Sequence, residues 1–312
     1  MAPVIANGVV LHTLRFGDCD RDTDRDTDRD TDRADRPVVV FVHGLMLADL
    51  SSFYFSLAGT IKPFADILLY DLRGHGRSEI AAHGYTIDDG VADLVGLLDA
   101  SDITAPVHLV ANSYGAAIAL NVAISHPERV ASMMLIEGHY QVAGWGDEMA
   151  DTLVSVGRHL DVDSVMEQML ITSPRKAARF GARADRLING TSLLADLRGE
   201  PVLPVESIRA IRQPTLCCYG SYSDLHERGL ELAELLTDSH YALFVGATHS
   251  LLAERTTELR RHLLDWMAAR GGIDAVPVAD APSPSRMPRA AVSHRDRLLR
   301  MRCAVTPEGE WR

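Results

Sequence analysis

A chain of 312 residues with 46% hydrophobic side chains can bury a large core, enough for one α/β domain carrying an insertion. Its formal charge of −12 disfavours nucleic acid or an anionic membrane surface as a partner. No apolar run approaches the roughly 18 to 20 residues needed to span a bilayer, and the N-terminus lacks a basic-then-apolar leader pattern. A cytoplasmic protein with a small neutral or apolar substrate, no nucleic-acid or membrane partner and an undetermined oligomeric state is therefore expected. The four cysteines, Cys19, Cys217, Cys218 and Cys303, show neither disulfide nor metal-site spacing. Cys217 and Cys218 are neighbours in a predicted strand and should point to opposite faces as small core residues.

Along the chain, residues 4–16 read as a β-hairpin around Asn7-Gly8, a strong two-residue turn signal. A repeat of Asp, Arg and Thr follows, and 20–36 is expected to be a solvated, disordered loop because nothing in it can bury apolar surface. Its arginines neutralise its aspartates, which disfavours metal binding. The run 37–44, Pro-Val-Val-Val-Phe-Val-His-Gly, has the continuous apolar pattern of a strand buried on both faces of a parallel sheet. A second such strand at 67–71 leads into Asp-Leu-Arg-Gly-His-Gly-Arg-Ser. The amphipathic run 86–100 predicts a helix that opens on a capping box from Thr86 to Asp89.

Strand 107–112 then runs directly into the helix-like segment 116–126 through Asn112-Ser113-Tyr114-Gly115. A strand that turns at once into a helix strains the intervening serine and exposes its hydroxyl. Ala111 and Gly115 are small because bulk would block such a turn. Strand 133–137 follows, and between 138 and 212 the pattern changes to helix-like segments, including 149–160 and 164–170, without buried strands. Strands resume at 215–220 and 241–246, with helices at 227–236 and 252–269. Beyond Gly271 the Pro-, Ser- and Arg-rich tail is expected to be disordered.

The order of these motifs (His43-Gly44 after a strand, Asp71 to Ser78 after the next, the elbow at Ser113, and Gly246-Ala-Thr-His249 after the last strand) resembles the α/β-hydrolase superfamily across residues 5–270. The resemblance implies a mostly parallel, doubly wound sheet formed by 1–137 and 213–270, a helical lid at 138–212, and a tail at 271–312 outside the fold. Ser113 is then the nucleophile, and His249, at the same carboxyl edge of the sheet, is its base. The superfamily commonly carries the acid three residues beyond the glycine that ends strand 215–220. That position is Ser223 here, so the carboxylate is expected one residue on, at Asp224; Glu137 is the alternative, since some related families draw their acid from the strand after the elbow helix. The N–H groups of Leu45 and Tyr114 are the expected oxyanion donors. His43 is expected to brace its loop at the rim of a pocket that Met46, Phe53 and Trp145 help to line, a lining that could equally be core. Asp71, Arg73 and His75 are expected to brace their own turn.

A serine at the elbow disfavours the dehalogenases and epoxide hydrolases of this superfamily, which use a carboxylate there. The expected activity is hydrolysis of a carboxylic ester or thioester of a small to medium hydrophobic substrate, without cofactor or metal. Cleavage of a C–C bond, acyl transfer, and ester elimination by a lyase are alternative uses of the same triad. A receptor that has lost turnover is a further reading.

Overall fold

The structure is a computed structural model that describes residues 3–17, 36–45, 48–159 and 174–270. The repeat, Met46, the segment 164–170 and the tail beyond Gly271 lie outside the described residues. Eight strands form one sheet in the order β1-β2-β4-β3-β5-β6-β7-β8. They are β1 (Pro3–Ala6), β2 (Val9–Phe16), β3 (Val38–Val42), β4 (Asp66–Tyr70), β5 (Val107–Asn112), β6 (Val130–Ile136), β7 (Thr215–Gly220) and β8 (Ser239–Phe244). β1 pairs antiparallel with β2, and β2 with β4, while β3 to β8 are parallel throughout. The β1–β2 turn takes its shape from Asn7 at φ 45° and Gly8 at φ 74°, the two positive angles that match a tight turn to the strand twist.

The apolar runs read as strands buried on both sides divide their side chains between two cores. On one face lie Val40, Val42, Leu109, Ala111, Met133, Leu135 and Cys217, packed with the helices Ile87–Ala100 and Tyr114–Ser125. On the other lie Val39, Phe41, Val110, Met134, Ile136 and Cys218, packed with the helix Thr256–Arg270. Cys217 and Cys218 therefore face opposite ways, both buried and both free. Phe53, expected at the pocket, belongs to this second core. It is fully buried with its ring centroid 4.9 Å from that of Phe41, because the helical stretch after β3 turns it under the sheet.

Most boundaries shift by a few residues from the pattern reading, and two of the shifts have a local cause. β8 ends at Phe244, two residues early, because Val245 is exposed and Gly246 takes φ 75°. The closing helix is split into Leu251–Glu254 and Thr256–Arg270 by a non-helical Arg255 at φ −126°.

Between β6 and β7 stand the helices Trp145–His159, Pro174–Asn189, Leu193–Gly199 and Val205–Ala210. They are tied to the sheet domain by directional bonds. Arg183 donates from Nε to the Gly74 carbonyl at 3.1 Å and from one terminal nitrogen to those of His75 and Ser78 at 3.1 and 2.6 Å. Arg228 pairs with both oxygens of Glu148 at 2.8 and 3.0 Å. Asp196 accepts the Tyr85 N–H at 2.9 Å, and Glu200 accepts that of Ile87. The last two bonds sit at the N-terminus of helix Ile87–Ala100, where acceptors and negative charge are favoured. That helix also carries the expected box: Asp89 N–H to Thr86 Oγ1 at 3.0 Å and Thr86 N–H to Asp89 Oδ2 at 3.1 Å.

Thr86→Ala removes one half of that box and should lower the unfolding free energy by about 1 kcal/mol. Urea titration should show a lower midpoint with an unchanged slope; an unchanged midpoint would mean the Asp196 and Glu200 carboxylates alone suffice to cap this helix.

Candidate active site

The chain crosses from β4 back over β3 to β5, so the loops leaving β3 and β5 diverge and open a crevice at the carboxyl edge of the sheet. Ser113 stands there at φ 53° and ψ −120°, a conformation that costs a non-glycine residue on the order of 1–3 kcal/mol. Its N–H donates to the Ile136 carbonyl at 2.9 Å, and its own carbonyl accepts the N–H groups of Ala116 at 2.9 Å and His139 at 3.3 Å. Gly115 is required on the other side of the turn: a Cβ there would lie 2.3 Å from the Val42 carbonyl oxygen and 2.6 Å from that of His43. At Gly44 a Cβ would lie 3.2 Å from that of Ser113, so the loop after β3 passes directly against Ser113.

Ser113 Oγ lies 3.2 Å from His249 Nε2, and His249 Nδ1 lies 3.5 Å from Glu137 Oε2. Glu137 is fully buried and sits at φ 51°. The register explains the juxtaposition: Asn112 pairs with Ile136 and Ile136 with Cys218, so the residues that follow β5 and β6 emerge side by side. Glu137 N–H is held by the Cys218 carbonyl at 2.9 Å. Its carboxylate accepts the Gly220 N–H on Oε1 and the Ser223 hydroxyl on Oε2. Asp224, the acid expected first, is instead exposed on the turn after β7. The position that the resemblance assigns to a carboxylate holds Ser223, which turns inward and donates to Glu137 while its neighbour faces solvent.

The candidate oxyanion donors flank the serine. Tyr114 is the first residue of its helix, where an N–H has no preceding turn to bond, and the helix dipole there favours negative charge. Leu45 follows Gly44 in the loop against Ser113. His43 is buried and fixes that loop, its Nδ1–H donating to the Gly44 carbonyl at 2.7 Å and its Nε2 accepting the Leu72 N–H at 2.9 Å. Both nitrogens are thereby committed within the loop, so His43 acts as a brace. Trp145, also expected at the pocket, is 1% exposed and stacks on Tyr114 at 6.2 Å between centroids, which makes it part of the packing behind the elbow. Leu45, Leu72, Tyr114, Ile118 and Leu193 line a cavity beside it, with the Arg73–Asp93 ion pair in its wall.

The turn after β4 is braced by Asp71, whose carboxylate accepts the Leu50 and Arg77 N–H groups at 2.8 Å each and lies 2.9 Å from His12 Nδ1. Gly76, at φ 49°, is needed there because a Cβ would fall 2.1 Å from the Asp71 carboxyl carbon. Arg73 is bound to Asp93 through two nitrogens at 3.0 and 2.6 Å. His75 Nδ1 lies 2.8 Å from the Arg73 carbonyl within the same turn.

One residue at the site escapes sequence reasoning. The His139 ring meets that of His249 edge-on, with centroids 5.6 Å apart. Among 13 histidines nothing in the pattern singles it out; only its place two residues beyond a strand-ending glutamate at the active edge could have drawn attention. Burial lowers its pKa to about 3, helped by the neighbouring His249 and Arg228. Among the described residues, no group of three or more His, Cys, Asp or Glu is placed to hold a metal ion.

Residues 37–161 match the family model described as the alpha/beta hydrolase fold. By this match and its sheet order the chain has the α/β-hydrolase fold. It is 28% identical over 226 residues to the 2-hydroxymuconate semialdehyde hydrolase of Pseudomonas sp. (strain CF600), covering 65% of this chain and 76% of that one. Lipase LipV of Mycobacterium tuberculosis (strain ATCC 25618 / H37Rv) is 36% identical over 100 residues, only 32% of this chain and 38% of that lipase. In fold it is similar to the enol-lactonase of Burkholderia xenovorans LB400, with a TM-score of 0.67 at 21% identity over 86% of this chain and 100% of that one.

Burial also lowers the pKa of His43 to about 3 and that of His75 to about 4. A histidine whose folded pKa lies below its unfolded value near 6.5 contributes stability that is complete above that value. The contribution is lost as pH falls through it toward the folded pKa, at about 1.4 kcal/mol per pH unit for each group. The ring resonances of His43, His75 and His139 should therefore stay in the neutral position from pH 8 to pH 5 in an NMR titration. A midpoint near 6.5 for any of them would contradict its burial.

Proposed function

We propose that this α/β-hydrolase is a serine hydrolase that cleaves a carboxylic ester or thioester of a small to medium hydrophobic substrate through an acyl-enzyme. The observation that carries the reading is the chain of contacts from Ser113 Oγ to His249 Nε2 at 3.2 Å and from His249 Nδ1 to the buried Glu137 carboxylate at 3.5 Å.

In this reading Ser113 Oγ bonds to the substrate carbonyl carbon as its proton passes to His249 Nε2. The carbonyl oxygen takes the electron pair and is met by the Leu45 and Tyr114 N–H groups. Collapse re-forms the C=O and expels the alcohol or thiol, which leaves with the proton from His249. Water then attacks the acyl-serine, giving its proton to His249 Nε2, and the carboxylic acid departs as Ser113 regains its hydrogen. Glu137 acts through His249: it holds the tautomer with the proton on Nδ1 and stabilises the imidazolium in each half-reaction. The helices between β6 and β7, bonded to the core by Arg183, Glu148, Asp196 and Glu200, serve as the lid.

A second reading has a specific support. The relative matched over most of its length is named for a semialdehyde rather than an ester, so water attack that ends in C–C cleavage is the rival use of the same three residues. Product analysis with an ester, a thioester and a β-diketone separates the two.

The experiment for the main reading is fluorophosphonate labelling with peptide mapping, beside hydrolysis of p-nitrophenyl esters of increasing chain length. The label should map to Ser113, a chain-length optimum should appear, and Ser113→Ala should abolish labelling and lower kcat by about 10⁴-fold or more. Full activity in Ser113→Ala would remove the proposed nucleophile.

A further inference from the structure

Nine side-chain nitrogen or oxygen atoms among the described residues are buried without a hydrogen-bond partner, and three of them, Asn112 Oδ1, His139 Nδ1 and Trp145 Nε1, belong to residues around the elbow. A buried polar atom without a partner costs free energy, so its presence asks for an explanation. Of the three, only His139 contacts the proposed general base. Its position is fixed at three points: its N–H is bonded to the Ser113 carbonyl at 3.3 Å, its ring meets the edge of His249, and the chain before it is held by Gly138. A Cβ at Gly138 would lie 2.8 Å from that of Ala116, and the Gly138 carbonyl accepts the Tyr219 hydroxyl at 2.9 Å. The backbone is thus held at and just before a histidine whose Nδ1 has no hydrogen-bond partner.

We infer that His139 is a specificity-determining residue that hydrogen-bonds a neutral polar group of the substrate, a hydroxyl or oxo oxygen close to the reacting carbonyl. The inference rests on the serine-hydrolase reading and narrows its substrate class. A neutral imidazole can donate to an oxo oxygen or accept from a hydroxyl according to its tautomer. Because the ring stays uncharged across the working pH range, it adds no attraction for a carboxylate and no repulsion toward the imidazolium that forms on His249. A packing role alone would be met as well by phenylalanine, without an unpaired nitrogen. Discrimination through such a bond is strong, because a substrate lacking the polar group leaves a buried polar atom unpaired.

The test compares p-nitrophenyl butyrate with p-nitrophenyl 3-hydroxybutyrate and 3-oxobutyrate, reading the ratio of kcat/KM for each polar ester to the plain one. The wild-type ratio for at least one polar ester should be tenfold or more. His139→Phe should reduce it at least tenfold, and His139→Asn, which keeps a side chain able to donate and accept, should restore part of it. A wild-type ratio near one, or a ratio in His139→Phe within threefold of the wild type, would overturn the inference. Fluorophosphonate labelling at Ser113 in each variant separates this failure from another: no labelling of the wild type would instead sink the serine-hydrolase reading.

Discussion

The buried carboxylate of Glu137 is the constraint around which the candidate site is arranged. A carboxylate removed from water is costly unless donors replace its hydration, and this one accepts from the Gly220 N–H and the Ser223 hydroxyl, with His249 Nδ1 3.5 Å away. These groups come from the end of β7, the turn beyond it and the loop after β8. One anion therefore ties together three consecutive parallel strand ends. The cradle forms only if β6, β7 and β8 are in register, which links the packing of the sheet to the geometry of the candidate site.

Strain accompanies this arrangement. Ser113 and Glu137 are two of only four non-glycine residues with positive φ among the described residues, and they follow adjacent, paired strands. Each turns sharply at the carboxyl edge, one to present a hydroxyl and the other to tuck an acid beneath the histidine. The cost is offset by the two-sided core, in which successive residues of β3, β5, β6 and β7 alternate between apolar layers. The small residues at the crossing points carry the same logic: Gly115 lets the elbow helix approach the β3 end to a distance that a Cβ would prevent, and Gly44 keeps the β3 loop close to Ser113 where a Cβ would be tight.

Much of the fold was legible because its signals are local. Continuous apolar runs marked the buried strands, Asn7-Gly8 marked the hairpin, and Thr86 with Asp89 marked a helix start. The serine and histidine were legible because each sits at a strand end with small neighbours. The acid was harder. Asp224 and Glu137 lie one position beyond and one strand before the expected place, and only strand register decides which of them faces His249. Phe53 and Trp145 were ambiguous for a related reason: a large apolar residue near a site reads the same in sequence whether it faces a cavity or fills the core. His139 depended on tertiary contact alone, since its ring meets His249 across a separation of more than a hundred residues.

The most direct test of Glu137 as the acid is a paired substitution. Glu137→Gln keeps the shape and the bond to Gly220 but removes the charge, while Asp224→Asn does the same to the exposed alternative. With an ester that the wild type turns over, kcat should fall by about two to four orders of magnitude in Glu137→Gln and stay within about threefold in Asp224→Asn. The reverse pattern, a large loss in Asp224→Asn with Glu137→Gln near wild type, would contradict the account and place the working acid on the turn after β7.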